Sequence, residues 1–231
     1  MNALLGLTES LRGTVERISP SRKRTRWMNY YRDGIDPKYV ETKKQIVESA
    51  IEQASPERVW DVGANDGTYS RLISASGIRV LSMDSDPKCV DEAYLASKET
   101  GDRFLHPLFL DITNPSPGIG WANNERLPFL ARSKPDLIVA FAVLHHLTLG
   151  QHIRFELLAD LFSCADHLLI EFLERDDSRV REVISPHAAD PAWYTRENFE
   201  QCFSRHFDTL ARYPTGISSR SVYLMKSKRA D

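Results

Sequence analysis

Apolar residues recur at helical spacing at Leu4, Leu7, Leu11, Val15 and Ile18, which predicts an amphipathic helix over residues 1–20 closed by Pro20. A basic and aromatic stretch, SRKRTRWMNYYRDG, comes next. From residue 38 the pattern switches to alternating helices and strands. KYVETKKQIVESAIEQA sets Val40, Ile46, Val47, Ala50 and Ile51 on one helical side, and Pro56 breaks it. Apolar runs predict strands at 58–64, 79–85, 104–111, 136–144 and 167–174. Helices are predicted between them at 66–76, 87–99 and 151–163. Pro, Gly and Asn are too dense in TNPSPGIGWANN for anything but a loop. A helix over 195–206 has Thr195 at its N-cap, and FDTLARY and SVYLMKS follow as two strands. The turn between them is short enough for antiparallel pairing.

Strand–helix alternation of this kind predicts an α/β fold, a doubly wound and mostly parallel seven-stranded sheet with helices on both faces. Residues 1–55 are expected to form an N-terminal helical cap and 56–231 the α/β domain. Hydrophobic residues at 42% and charged residues at 27% exclude a disordered chain. No stretch approaches the roughly 18 consecutive apolar residues of a membrane span, so no membrane partner is expected. The net charge of -2 argues against a general DNA binder. Between residues 12 and 32, seven Lys or Arg face one acid, Glu16. That segment reads either as a phosphate-binding arm or as a cap whose Trp27, Tyr30 and Tyr31 pack on the domain. The cap is the better reading, because the rest of the chain carries no excess of basic charge. Three scattered cysteines and a start without a secretory signal fit a cytoplasmic protein.

In a doubly wound sheet, chemistry gathers beyond the carboxyl ends of the strands. The first such turn is Asp61-Val62-Gly63-Ala64-Asn65-Asp66-Gly67, with glycines that permit a sharp turn and close approach to a ligand. The second strand ends in Asp84 and Ser85, where an acid can accept hydrogen bonds from ribose hydroxyls. The third ends in Asp111 and Ile112. A dinucleotide site needs Gly-x-Gly-x-x-Gly, but Asn65 stands at the middle glycine. An adenosine ligand without a pyrophosphate fits better, and a nicotinamide enzyme is disfavoured.

On DVGANDG, Asp84, Asp111 and the order of elements, residues 56–227 resemble the class I S-adenosylmethionine-dependent methyltransferases. The resemblance implies the Rossmann-like methyltransferase fold and S-adenosyl-L-methionine as cofactor. It implies that Asp61, Gly63, Ala64, Asn65 and Gly67 flank the methionine part. Asp84 with Ser85 would hold the ribose, and Asp111 with Ile112 the adenine edge. The DITNPSPGIGW, VLHHL and IEFLERDD…YTRENFE segments are similar to a bacterial nodulation-type group.

Methyl transfer to a hydroxyl calls for a base near the fourth strand's tip, where His145 and His146 are the candidates. Neighbours on a strand point opposite ways, so only one should face the pocket; alternatively VLHHL merely packs there. Glu171 either approaches the pocket or is a paired structural acid, and His187 and Tyr194 either contact the acceptor or pack. WANNERLPFL (121–130) is expected to help cover the site. No metal is expected: Asp136 and Glu171 are the tempting acids, but there is no His-x-x-x-His or Cys-x-x-Cys grouping. The resemblance also implies that enzymes methylating amino groups of DNA bases carry Asn/Asp-Pro-Pro-Tyr/Phe after the fourth strand. AFAVLHHLT here points instead to a small-molecule, sugar or lipid-like methyl acceptor. An RNA-modifying enzyme using the basic arm and a non-catalytic partner subunit are the rivals.

Overall fold

The computed structural model describes residues 2–18, 25, 27, 36–184 and 191–229. Eight helices run α1 (Asn2–Glu16), α2 (Pro37–Ala54), α3 (Thr68–Ser74), α4 (Pro87–Thr100), α5 (Phe129–Arg132), α6 (Phe155–Phe162), α7 (Ser178–Val183) and α8 (Arg196–Phe203) among the described residues. Seven strands run β1 (Arg58–Val62), β2 (Arg79–Asp84), β3 (Leu105–Phe109), β4 (Leu137–Ala140), β5 (His167–Leu173), β6 (Phe207–Pro214) and β7 (Arg220–Ser227). They form one sheet in the order β3-β2-β1-β4-β5-β7-β6. β7 is antiparallel to both its neighbours, and the other pairings are parallel. The chain winds outward from β1 to β3 and then returns to β4, so the switch point lies between β1 and β4.

Alternation along the central strands explains burial on both faces. Trp60, Ile138, Leu168 and Ile170 face a core completed by Phe155, Phe162, Phe199 and Phe203 of α6 and α8. Val59, Val139 and Leu169 face the other core, completed by Ile46, Val47 and Ala50 of α2 and Tyr69 and Ile73 of α3. α2 starts on Pro37 behind Asp36, whose side chain accepts from Lys38 N–H, and ends at Ser55 in the left-handed conformation. Of the N-terminal helical segment, α2 therefore packs on the sheet. On α1, Leu4, Leu7, Leu11, Val15 and Ile18 are exposed. Thr195 caps α8 by accepting from Asn198 N–H, as its sequence position predicts.

The outer strands are both interrupted. Phe104 O and Leu110 N bond to β2, so even-numbered residues of β3 turn their backbone groups inward. Pro107 faces the open edge, where its missing N–H leaves no ladder bond unmade. β6 carries a bulge between Thr209 and Ala211.

One expectation is corrected at β4. The apolar run to Leu144 predicted a strand ending on the two histidines, yet the strand stops at Ala140. Ala142 adopts φ 50°, which no strand can hold, and His146–Gly150 form a π-helical turn. His145 and His146 thus sit on this turn and not on a strand, with their rings side by side, centroids 4.0 Å apart.

Candidate functional site

A cavity of about 320 Å³ opens at the carboxyl ends of β1, β2, β3 and β4. Its floor is the turn after β1. Gly63 has φ 72°, and a Cβ there would lie 2.9 Å from Val143 Cγ2, so only glycine lets this turn approach the chain leaving β4. Gly63 and Ala64 both donate their N–H to Met83 O. Asn65, also left-handed at φ 53°, donates its N–H to Asp84 Oδ2 at 2.8 Å and its side-chain amide to Trp27 O at 2.9 Å. Asparagine tolerates this conformation, which is why it can stand where a glycine is commoner.

Asp84 closes the second side. Its Oδ1 accepts from Asp86 N–H and its Oδ2 from Asn65 N–H, each at 2.8 Å. Burial raises its pKa, and these backbone donors oppose the rise. Each carboxylate oxygen has a second lone pair for a hydroxyl donor. Asp111 accepts from Thr113 N–H at 2.9 Å, and the Thr113 hydroxyl lies within 2.8 Å of Gln151 Oε1 on the opposite rim. Ile112, Leu110 and Leu147 supply apolar walls between these carboxylates.

Of the residues singled out in the sequence, Gly63, Asn65, Asp84, Ser85, Asp111, Ile112 and His146 line the cavity. Asp61, Ala64, Gly67 and His145 are not among its lining residues. Gly67 instead lets α3 pass close to α4, a Cβ there meeting Ala93 Cβ at 3.3 Å. Asp61 is 2% exposed beneath the floor and accepts from Ser70 Oγ at 2.5 Å. His145 is 1% exposed, and neither ring nitrogen has a hydrogen-bond partner among the described residues. Burial first, then His146 and Arg220, hold its pKa well below the ordinary value, so it stays neutral.

Glu171 proves to be the structural acid. It is 0% exposed and accepts from Tyr39 OH at 2.5 Å and Lys43 Nζ at 3.0 Å. Arg220 joins Tyr39 OH to Asp177, which it holds through two hydrogen bonds. Tyr194 packs, its hydroxyl donating to Leu173 O. Asp136 sits at the amino end of β4, away from the cavity, paired with Arg58. The 121–130 stretch is corrected: none of it lines the cavity, Trp121 is 86% exposed, and Phe129 packs on Trp60. The backbone explains this, since Gly120, Ala122 and Asn123 all have positive φ and turn Trp121 outward. His187, Tyr30 and Tyr31 lie outside the described residues.

Trp27 is the lining residue that sequence reasoning left as packing alone. Its ring meets that of His146 edge-on, centroids 4.7 Å apart. The signal was its place in the aromatic arm, but nothing local in the sequence tied it to Asn65.

Asp61 yields a pH test. Burial pushes its carboxyl up to about 6, against the Ser70 hydrogen bond and the charge of Lys43. An unfolded aspartate titrates near 3.9 (about). Between about pH 4 and 6 the native chain therefore holds a proton that the unfolded chain has released. The stability this group contributes is full below that window and lost as pH rises through it. Asp61→Asn fixes a neutral side chain, so the wild-type Tm minus that of the variant should fall between about pH 4 and 6 and level off above. A difference that stays flat through this window would mean that Asp61 titrates normally.

A model of the family described as "Methyltransferase domain" matches residues 18–213. The chain belongs to that methyltransferase family. Nodulation protein NoeA of Rhizobium meliloti (strain 1021) is 31% identical over 183 residues, 78% of this chain and 38% of its own length. The chain thus spans well under half of that relative. Among solved structures, the N-methyltransferase NodS from Bradyrhizobium japonicum WM9 in complex with S-adenosyl-L-homocysteine superposes with a TM-score of 0.61 at 16% identity. That match covers 86% of this chain and 92% of NodS. The bifunctional kinase-methyltransferase WbdD gives a TM-score of 0.57 at 16% identity, over 94% of this chain and 46% of that one.

The cavity has the chemistry to hold the S-adenosylmethionine that the sequence resemblance implies. Two carboxylates suit hydroxyl and amino donors, the walls between them suit a purine, and the glycine floor admits a close-lying chain. No helix among the described residues is long and apolar enough to cross a membrane.

Proposed function

We propose that this methyltransferase moves a methyl group to a hydroxyl or amine of a small-molecule, sugar or lipid-like acceptor. The observation that carries the reading is the placement of His146, an imidazole on the wall of the cavity at the β4 end. In this reading Asp84 holds the ribose hydroxyls, Asp111 and Ile112 hold the adenine, and Gly63 and Asn65 flank the amino-acid end. S-adenosylmethionine, when bound, supplies a methyl group on a sulfonium that leaves as a neutral thioether. The chain's part is to align the acceptor in line with that methyl and to take its proton. A ring nitrogen of His146 accepts that proton, while His145 remains neutral behind it. NodS, described as an N-methyltransferase, supports an amine acceptor, and the absence of a Pro-Pro-aromatic tip after β4 speaks against the amino groups of DNA bases.

The test supplies methyl-labelled cofactor with, separately, hydroxyl- and amine-bearing glycans and metabolites, and total RNA. Label in the small acceptors supports the reading, and label confined to RNA overturns it. Asp84→Asn is expected to weaken S-adenosylhomocysteine binding about 10- to 150-fold in calorimetry. The loss corresponds to charge-assisted hydrogen bonds of about 1.5–3 kcal/mol. Unchanged binding would remove Asp84 from the ribose site.

A further inference from the structure

A sulfonium carries a full positive charge, and the chemistry of the cavity wall must accommodate it. Among the described residues, the carboxylates that line the cavity, Asp84 and Asp111, stand at the tips of β2 and β3. With the nucleoside seated there, the amino-acid end extends across β1 to β4, three strand spacings or about 14 Å from β3. Among the described residues, the lining at that far end includes Gly63, Asn65, Phe141, Val143, His146 and Trp27, none of them acidic. Asp61 lies below it, engaged with Ser70. Phe141 already has the Lys43 ammonium 4.2 Å from its centroid, a cation that opposes a second one on the same ring.

Trp27 is held at this end from two sides. Its carbonyl accepts from the Asn65 amide, just after β1, and its ring meets His146, just after β4. Indole offers the strongest π face for a cation among the natural side chains. From this placement we propose that Trp27 is the cofactor's sulfonium-recognition residue, distinguishing the charged methyl donor from the neutral thioether product. The proposal rests on the reading that the cavity holds S-adenosylmethionine with its nucleoside at Asp84 and Asp111. It gives the aromatic arm a chemical role: the indole favours the donor over the product, so product leaves more readily than donor.

The experiment titrates wild type, Trp27→Phe and Trp27→Leu with three probes in a calorimeter: S-adenosylmethionine, S-adenosylhomocysteine, and sinefungin, which has an ammonium-bearing carbon in place of the sulfonium. Trp27→Leu should lose up to about 30-fold in affinity for the two cations and less than about 3-fold for S-adenosylhomocysteine. Trp27→Phe should fall between. Equal losses for charged and neutral probes would overturn the proposal and leave Trp27 as a packing residue. Retained S-adenosylhomocysteine binding shows that the variants fold. If wild type binds S-adenosylhomocysteine but Asp84→Asn does not weaken it, the underlying seating fails, which is a separate result from the Trp27 comparison.

Discussion

Lys43→Met is expected to destabilise the chain by about 3–5 kcal/mol, seen as a lower urea midpoint at neutral pH. Lys43 is 1% exposed, and its ammonium bonds to Glu171 Oε2 at 3.0 Å. The rings of Phe141, Tyr39 and Tyr69 surround it at 4.2, 4.9 and 5.1 Å. Burial lowers its pKa, and the carboxylate of Glu171 opposes that shift. Removing the ammonium leaves Glu171 buried with the Tyr39 hydroxyl and no bonded cation. The double variant Lys43→Met/Glu171→Leu should recover most of the loss, because an apolar pair of similar size is close to neutral in such a site. A single variant that costs under about 1 kcal/mol would mean that the pair is not charged in the native state.

The second large effect belongs to His146. Replacing it by alanine or glutamine should slow methyl transfer about 10²- to 10⁴-fold at saturating cofactor. S-adenosylhomocysteine affinity should change little for His146→Gln, which keeps bulk beside Trp27. The rate of the wild type should fall at acidic pH as the imidazole becomes protonated, and that limb should vanish in both variants. Variants that keep both the rate and the acidic limb would return VLHHL to a packing role.

The strand tips were legible because each signal is local. An apolar run that closes on Asp or Gly marks the end of β1, β2 or β3, and Asp84, Ser85, Asp111 and Ile112 follow from it. β4 was overread for the same reason: an apolar run does not reveal that Ala142 turns left-handed, because periodicity is blind to a single backbone angle. The partners of Lys43 and Trp27 were beyond reach. Lys43 meets Glu171 across 128 residues, and Asn65 meets Trp27 across 38. Yet Lys43 shares the buried face of α2 with Tyr39, Ile46, Val47 and Ala50. A lysine within that apolar stripe is itself a sign that a carboxylate waits opposite.

The two ends of the sheet bear on how the protein survives at high concentration. An open sheet exposes a row of unused backbone donors and acceptors, which invites another chain to extend it into a fibre. Phe109 on β3 and Leu210 on β6 are both exposed, so apolar side chains would help such an extension. Pro107 removes a donor from one row, and the Thr209–Ala211 bulge throws the other out of step. Neither border offers a continuous template, so copies of this chain can crowd together without being stitched edge to edge.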